Sequence, residues 1–225
     1  MIIKTAKRIG TVEEYYFSCK LREIAQLRER GKEIINLGIG SPDLPPAPVV
    51  IKTLKTAAKN PTFHAYQSYT GLPELRAAFA NWYQQNFSVS LDSSSEILPL
   101  IGSKEGIMHI AMTFLDAGDE VLIPDPGYPA YAATAQLAGA TPRTYTLRAE
   151  NNWLPDLNAL EKTDLSKVKI FWINYPHMPT GTPATLELFI DLVAFAQKHK
   201  MLLVNDNPYS FLLNDSPLSI LSIPG

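Results

Sequence analysis

From Glu96 onward, short apolar runs take turns with longer amphipathic ones, and this alternation constrains the fold more than any other feature of the chain. Ile97–Ile101, Glu120–Ile123, Arg143–Leu147, Val168–Ile173 and Met201–Val204 read as strands. Between them lie helix patterns: Ser103 to about Leu115, a small-residue stretch ending at Gly139, a short Leu157–Glu161, and Leu186–Lys200. Strand and helix alternating in this way predict βαβ units, hence an α/β fold with a mostly parallel sheet and helices on both faces. Met201-Leu202-Leu203-Val204 has the continuous apolar character of a strand buried on both sides.

The N-terminal third has a different texture. Thr11 to Gly31 places Tyr16, Phe17, Leu21, Ile24 and Leu27 at helical spacing, and Gly31 stops that amphipathic helix. Ile34 to Asp43 dissolves into Gly and Pro. Gly38 and Gly40 would let backbone amides approach a ligand, and a simple turn-rich connection explains them equally well. Val49 to Lys59 is a helix. Asn60 to Thr70 is a loop dense in aromatic residues, with Phe63, His64, Tyr66 and Tyr69. Gly71 to Arg76 opens a further helix, with Pro73 near its first turn, and that helix ends near Phe87.

Composition narrows the function classes. The 225 residues carry a net charge of −2, which provides no basic field for nucleic acid and no polybasic patch for anionic lipid. No apolar run approaches the roughly twenty residues of a membrane helix. The basic N-terminus lacks the apolar core of a secretory signal. A lone Cys19 provides neither an internal disulfide nor a thiolate cluster. These features are those of a cytoplasmic protein.

The chemistry gathers at the carboxyl ends of the strands, where open parallel sheets bind ligands. Asp206 sits at the tip of the last strand, which Pro208 stops. Taken alone, that stretch favours an Asp capping a turn with Tyr209 packed against the sheet. Its neighbours change the balance. Gly102-Ser103-Lys104 opens a helix with exposed amides, a hydroxyl and a cation, an anion site suited to phosphate. It has neither Walker spacing nor a GxGxxG pattern. Tyr128 follows the next strand and can lay its face on a flat ligand. Asn174, His177 and Met178 precede Pro179-Thr180-Gly181. A phosphate cradle, a stacking ring, a carboxylate and a phenol describe a pocket for a flat, phosphorylated, protonatable heterocycle such as pyridoxal 5′-phosphate. Rival sites fail on spacing. His64, His109 and His199 are scattered, so no metal is expected, and a Gly-x-Ser-x-Gly hydrolase turn is absent.

Six motifs then recur in one order: Ile35 to Asp43; Tyr66 with Gly71-Leu72-Pro73-Glu74-Leu75-Arg76; Gly102-Ser103-Lys104-Glu105-Gly106; Pro124-Asp125-Pro126-Gly127-Tyr128-Pro129; Asn174-Tyr175-Pro176 with Pro179-Thr180-Gly181; and Asp206-Asn207-Pro208-Tyr209. In these the chain resembles the fold-type I pyridoxal-phosphate enzymes of the class I/II aminotransferases, and among them the branch that includes LL-diaminopimelate aminotransferase. The resemblance implies that residues 1–45 are a helix and linker of a small domain, and 46–225 part of a large cofactor-binding domain. It implies that Asp206 pairs with the protonated ring nitrogen and that Tyr209 hydrogen-bonds the ring's phenolate oxygen. Tyr128 stacks on the ring, while Ser103 and Lys104 hold the phosphate. The resemblance implies further that Tyr66 reaches over from the second subunit of a homodimer. Gly40 and Tyr15 are implied to contact the substrate, an amino acid or a 2-oxo acid.

Two departures stand out. The family's usual Asn before Pro-Thr-Gly is Met178, which cannot donate a hydrogen bond to the ring oxygen. Tyr209 then serves alone, Asn174 or His177 substitutes, or the cofactor's imine pKa rises. The family's Schiff-base lysine lies beyond the position of Gly225, so no catalytic lysine is expected among these residues. On this reading the parent protein is an aminotransferase, with a carbon–sulfur β-lyase of the same fold as the alternative. The 225 residues alone are expected to be truncated and inactive, or to act as a non-catalytic, cofactor-binding or interaction fragment. Two sheet strands are also expected to be missing between Ile97–Ile101 and Met201–Val204, leaving both edges exposed.

Overall fold

The computed structural model describes residues 3–11, 14–38, 40 and 43–225. Helices α1 (Tyr16–Glu29), α2 (Pro48–Ala57) and α3 (Pro73–Phe87) come first. After them α4 (Ser103–Phe114), β1 (Glu120–Asp125), α5 (Ala130–Ala138), β2 (Thr141–Thr146), α6 (Leu157–Glu161), β3 (Val168–Ile173), α7 (Leu186–His199) and β4 (Leu202–Asn205) follow the expected alternation.

The sheet has the order β2-β1-β3-β4, and every neighbouring pair is parallel. From β1 the chain steps outward to β2, then returns to the other side of β1 for β3 and β4. Such a reversal opens a crevice at the carboxyl ends of the strands. Here it lies between the tips of β1 and β3.

Period-two alternation along the strands feeds two cores. Val121, Ile123, Ile170 and Trp172 join Ile107 and Ala111 of α4 and Tyr131 and Ala135 of α5. Leu122, Phe171 and Ile173 join Leu160 of α6 and Leu188, Phe189 and Leu192 of α7 on the opposite face. The last helix is closed at both ends by local chemistry. Thr185 accepts a hydrogen bond from the Leu188 amide at 3.1 Å, and Lys200 turns the chain in a left-handed conformation at φ +56°.

One expected strand does not form. Ile97–Ile101 lies outside the sheet, and among the described residues it pairs with no strand. A strand exists through its ladder partners, and β-type sequence without a neighbour leaves the backbone unpaired. Its side chains show the same thing, with Ile101 at 96% exposure.

The chain separates into two compact units, Met1–Glu13 with Pro73–Gly225, and Glu14–Leu72. Within the second unit, α1 begins at Tyr16 rather than Thr11; residues 12 and 13 of the expected helix lie outside the described residues. Gly31, at φ +79°, ends it as expected. Neither α1 nor α2 contains a buried residue, so their apolar stripes are legible but not covered. Of the motif running from Ile35 to Asp43, residues Ile39, Ser41 and Pro42 lie outside the described residues.

Candidate functional site at the strand tips

Asp206 comes one residue after β4, and its amide still bonds the Ile173 carbonyl of β3 at 3.0 Å. The ladder therefore delivers the carboxylate to the mouth of the crevice before Pro208 ends it. Burial pushes the Asp206 carboxyl above the ordinary carboxylate range, and one hydrogen bond opposes that push. Tyr131 donates its phenol to Asp206 Oδ2 at 2.8 Å. Oδ1 is the oxygen left for a ligand.

The tips of β3 and β4 are laced together by two amide side chains. Buried Asn174 accepts from the Met178 amide at 2.8 Å through Oδ1 and donates through Nδ2 to the Asp206 carbonyl. Asn205 accepts from the Tyr175 amide at 2.9 Å and donates to the Tyr175 carbonyl at 3.2 Å. Each spends both of its polar ends on backbone, which fixes two loops that would otherwise carry unpaired groups. Asn174 stands at its expected place, with its carboxamide turned to this lacing. Asn205 was not singled out from sequence, although an Asn ending an otherwise apolar strand was the available signal.

The departure at Met178 has a visible consequence. Tyr209 donates its phenol to the Met178 sulfur at 3.4 Å, a weak acceptor from which a stronger one would release it. His177, only 2% exposed, bonds Thr180 Oγ1 through Nδ1 at 2.8 Å, and Thr180 in turn pairs with Thr182 at 2.9 Å. Burial lowers the His177 pKa, favouring the neutral ring. The Pro126 carbonyl opposes that shift, yet Nε2 is left without a hydrogen-bond partner of ordinary geometry. His177 is thus committed to its own loop.

On the other side of the crevice, Gly102 at φ +90° precedes the first turn of α4, where Ser103 and Lys104 stand. Glu105 accepts a hydrogen bond from the Ile101 amide at 2.6 Å, so its carboxylate caps the helix entry. Lys104 Nζ lies 5.8 Å from the centroid of the Tyr128 ring. Tyr128 meets Tyr131 edge-to-face at 5.6 Å, and Tyr131 stacks on Trp172 at 4.9 Å and 7°. A continuous path of contacts therefore runs from Lys104 through Tyr128 and Tyr131 to Asp206. Tyr131 was missed from sequence; a tyrosine in a helix otherwise made of Ala, Thr, Gln and Leu was the signal.

Three expected site residues belong to the Glu14–Leu72 unit. Tyr66 is fully exposed on its loop, Tyr15 precedes α1 with its ring 5.6 Å from that of Phe17, and Gly40 has open space around it.

The matching family model is that of aminotransferase class I and II, over residues 32–222. The chain belongs to this family. It is 47% identical over 225 residues to an LL-diaminopimelate aminotransferase of Dehalococcoides mccartyi, covering 99% of this chain and 58% of that protein. It is 43% identical over 220 residues to an LL-diaminopimelate aminotransferase of Aquifex aeolicus, covering 97% and 57%. Among solved structures, substrate-bound BacF of Bacillus subtilis superposes with a TM-score of 0.88 at 32% identity, covering 98% of this chain and 56% of that one. The chain thus spans a little over half the length of the relatives it matches.

Members of this family use pyridoxal 5′-phosphate. The donor set fits that group. A carboxylate with one oxygen left suits a protonated ring nitrogen, a helix N-terminus with a hydroxyl and an ammonium suits a phosphate, and a tyrosine ring lies between the two.

Proposed function

We propose that the protein to which this chain belongs is a pyridoxal-phosphate-dependent aminotransferase that takes LL-diaminopimelate as amino donor and a 2-oxo acid as acceptor. The path of contacts from Lys104 to Asp206 is the observation that carries the cofactor reading, and the names of the relatives motivate the donor. When bound, pyridoxal 5′-phosphate supplies the electron sink that lets an α-amino group move between an amino acid and a 2-oxo acid.

The chain's own residues bind and orient it. Ser103, Lys104 and the N-terminal turn of α4 would hold the phosphate. Tyr128 covers one face of the ring. Asp206 Oδ1 would accept a hydrogen bond from the protonated ring nitrogen and keep that nitrogen cationic. Tyr209, whose phenol rests on the weak acceptor Met178, would donate to the ring oxygen instead. Asn174 and Asn205 keep the two strand tips in register around these groups. Tyr15 and Gly40 contact the substrate, and Tyr66 serves the site of a second subunit in a homodimer. Residues 1–45 belong to a small domain and 46–225 to the large one. The protein works in the cytoplasm; among the described residues no helix is long and apolar enough to cross a membrane.

The test is an assay of the full-length protein with LL-diaminopimelate and 2-oxoglutarate. Glutamate should appear in step with loss of the donor. Ammonia and pyruvate released from a cysteine conjugate, without need of a 2-oxo acid, would instead identify a carbon–sulfur lyase and sink the proposal. Light scattering of the active protein should give a dimer, and an active monomer would remove the role of Tyr66.

A further inference from the structure

Tyr131 spends its one donor on a carboxylate 75 residues away, although nothing in a helix rich in small residues demands a tyrosine. Its side chain is 1% exposed, so the phenol has no water to turn to. The ring lies flat on Trp172, and Trp172 stands on β3 directly opposite Val204 of β4. Two strands of the ladder therefore set where the phenol is. Asp206 lies beyond the last strand residue, where its χ1 would otherwise choose among staggered wells.

The chemistry of the partner matters as much as its position. A lysine or arginine here would neutralise the carboxylate and remove its attraction for a cation. A phenol donates without adding charge. Burial first, and the Asp206 charge second, suppress the ionisation of Tyr131, so it remains a donor across the working pH range. Tyr128 and Tyr209, phenols as well, also act on Tyr131, and the ammonium of Lys104 lies 5.8 Å from the centroid of the Tyr128 ring.

We propose that Tyr131 is the positioning residue for Asp206: fixed by Trp172, it holds the carboxylate in one rotamer, keeps it charged, and leaves Oδ1 for the cationic ring nitrogen of the cofactor. The inference rests on the cofactor reading above and adds to it the residue that makes Asp206 competent. It accounts for how a carboxylate that burial drives toward the neutral acid can serve as a counter-ion.

The experiment compares the full-length wild type with Tyr131→Phe, which keeps the ring on Trp172 and removes only the hydroxyl. Without cofactor, carboxyl ¹³C NMR should show Asp206 titrating at higher pH in the variant. Affinity for pyridoxamine 5′-phosphate should fall about five- to tenfold, while affinity for inorganic phosphate is unchanged. In an Asp206→Ala background, Tyr131→Phe should cost nothing further. An unmoved Asp206 titration overturns the assignment, as does an equal loss for inorganic phosphate or a full additional loss in the Asp206→Ala background. A second measurement needs no variant: the Tyr131 hydroxyl proton should shift as Asp206 is protonated, and a resonance indifferent to that titration breaks the pairing. A wild type that binds pyridoxamine 5′-phosphate no better than phosphate overturns the cofactor reading, and this one with it. A wild type that prefers it, equalled by Tyr131→Phe, overturns the role of Tyr131 alone.

Discussion

The two faces of the sheet bury tyrosines with equal thoroughness and use them differently. Under α6 and α7, Tyr145 donates to the Trp172 carbonyl at 2.8 Å and Tyr175 to the Trp153 carbonyl at 2.7 Å. Under α4 and α5, Tyr131 donates to Asp206. Burial raises the pKa of all three, and it is the largest cause in each. What differs is the acceptor. A phenol on a backbone carbonyl satisfies the architecture, whereas a phenol on an ionisable group at a strand tip sets the charge of a site. The role of a buried polar residue is therefore read from its partner and not from its burial.

Breaking the apolar face should have the largest effect. Phe171 is fully buried between Tyr145 and Phe195, and Phe171→Ala should cost about 3–5 kcal/mol in chemical denaturation, a large share of a typical domain's stability. The molecules that remain folded should bind cofactor with unchanged affinity. Lost affinity in the folded fraction would show that the two faces are not separable.

Asp206→Ala attacks the other face and should show the converse. Turnover of the full-length protein should fall about 10²- to 10³-fold, equivalent to about 3–4 kcal/mol in the barrier. Melting should shift little, because relief of a desolvated carboxylate offsets the loss of the acceptor that the buried Tyr131 phenol uses. Full activity with cofactor absorbance retained would remove Asp206 from the site.

Tyr145→Phe is the control that sharpens the comparison. Removing its hydroxyl leaves the Trp172 carbonyl short of a donor and should cost about 1 kcal/mol. The Asp206 titration should not move. If it moves as far as in Tyr131→Phe, the hydrogen bond to Asp206 is not what sets the carboxyl.

The smallest effect expected is a change of slope. The His177 pKa is lowered in the folded state, so its contribution to stability is present above its unfolded value of 6.5 and is lost as pH falls through the folded value. Asp206 has the opposite sign: its raised pKa adds stability below the unfolded value of 3.8, and this is lost as pH rises through the folded value. His177→Gln should therefore flatten the fall in stability below pH 6.5 and leave the Asp206 contribution in place. An unchanged pH profile would mean that His177 is not held neutral.

The amino-acid sequence by itself determined the alternation of strands and helices, the parallel sheet and the chemical character of each strand tip. Val168–Ile173 and Leu186–Lys200 were legible because apolar period and local stop signals are written within a dozen residues. Asp206 stood out because a carboxylate ending an apolar strand conflicts with its surroundings. Ile97–Ile101 had the same apolar signature as the true strands and did not become one, because pairing needs a neighbour that no local pattern supplies. Only the tertiary structure decided that β3 lies beside β1, bringing Trp172 under Tyr131 and Tyr131 onto Asp206. It decided too that Asn174 and Asn205 would lace backbone and that Tyr209 would rest on Met178. These are contacts between residues 30 or more apart in the chain. Residue type says what a side chain can donate or accept, and only the crossing of the strands says what stands within its reach.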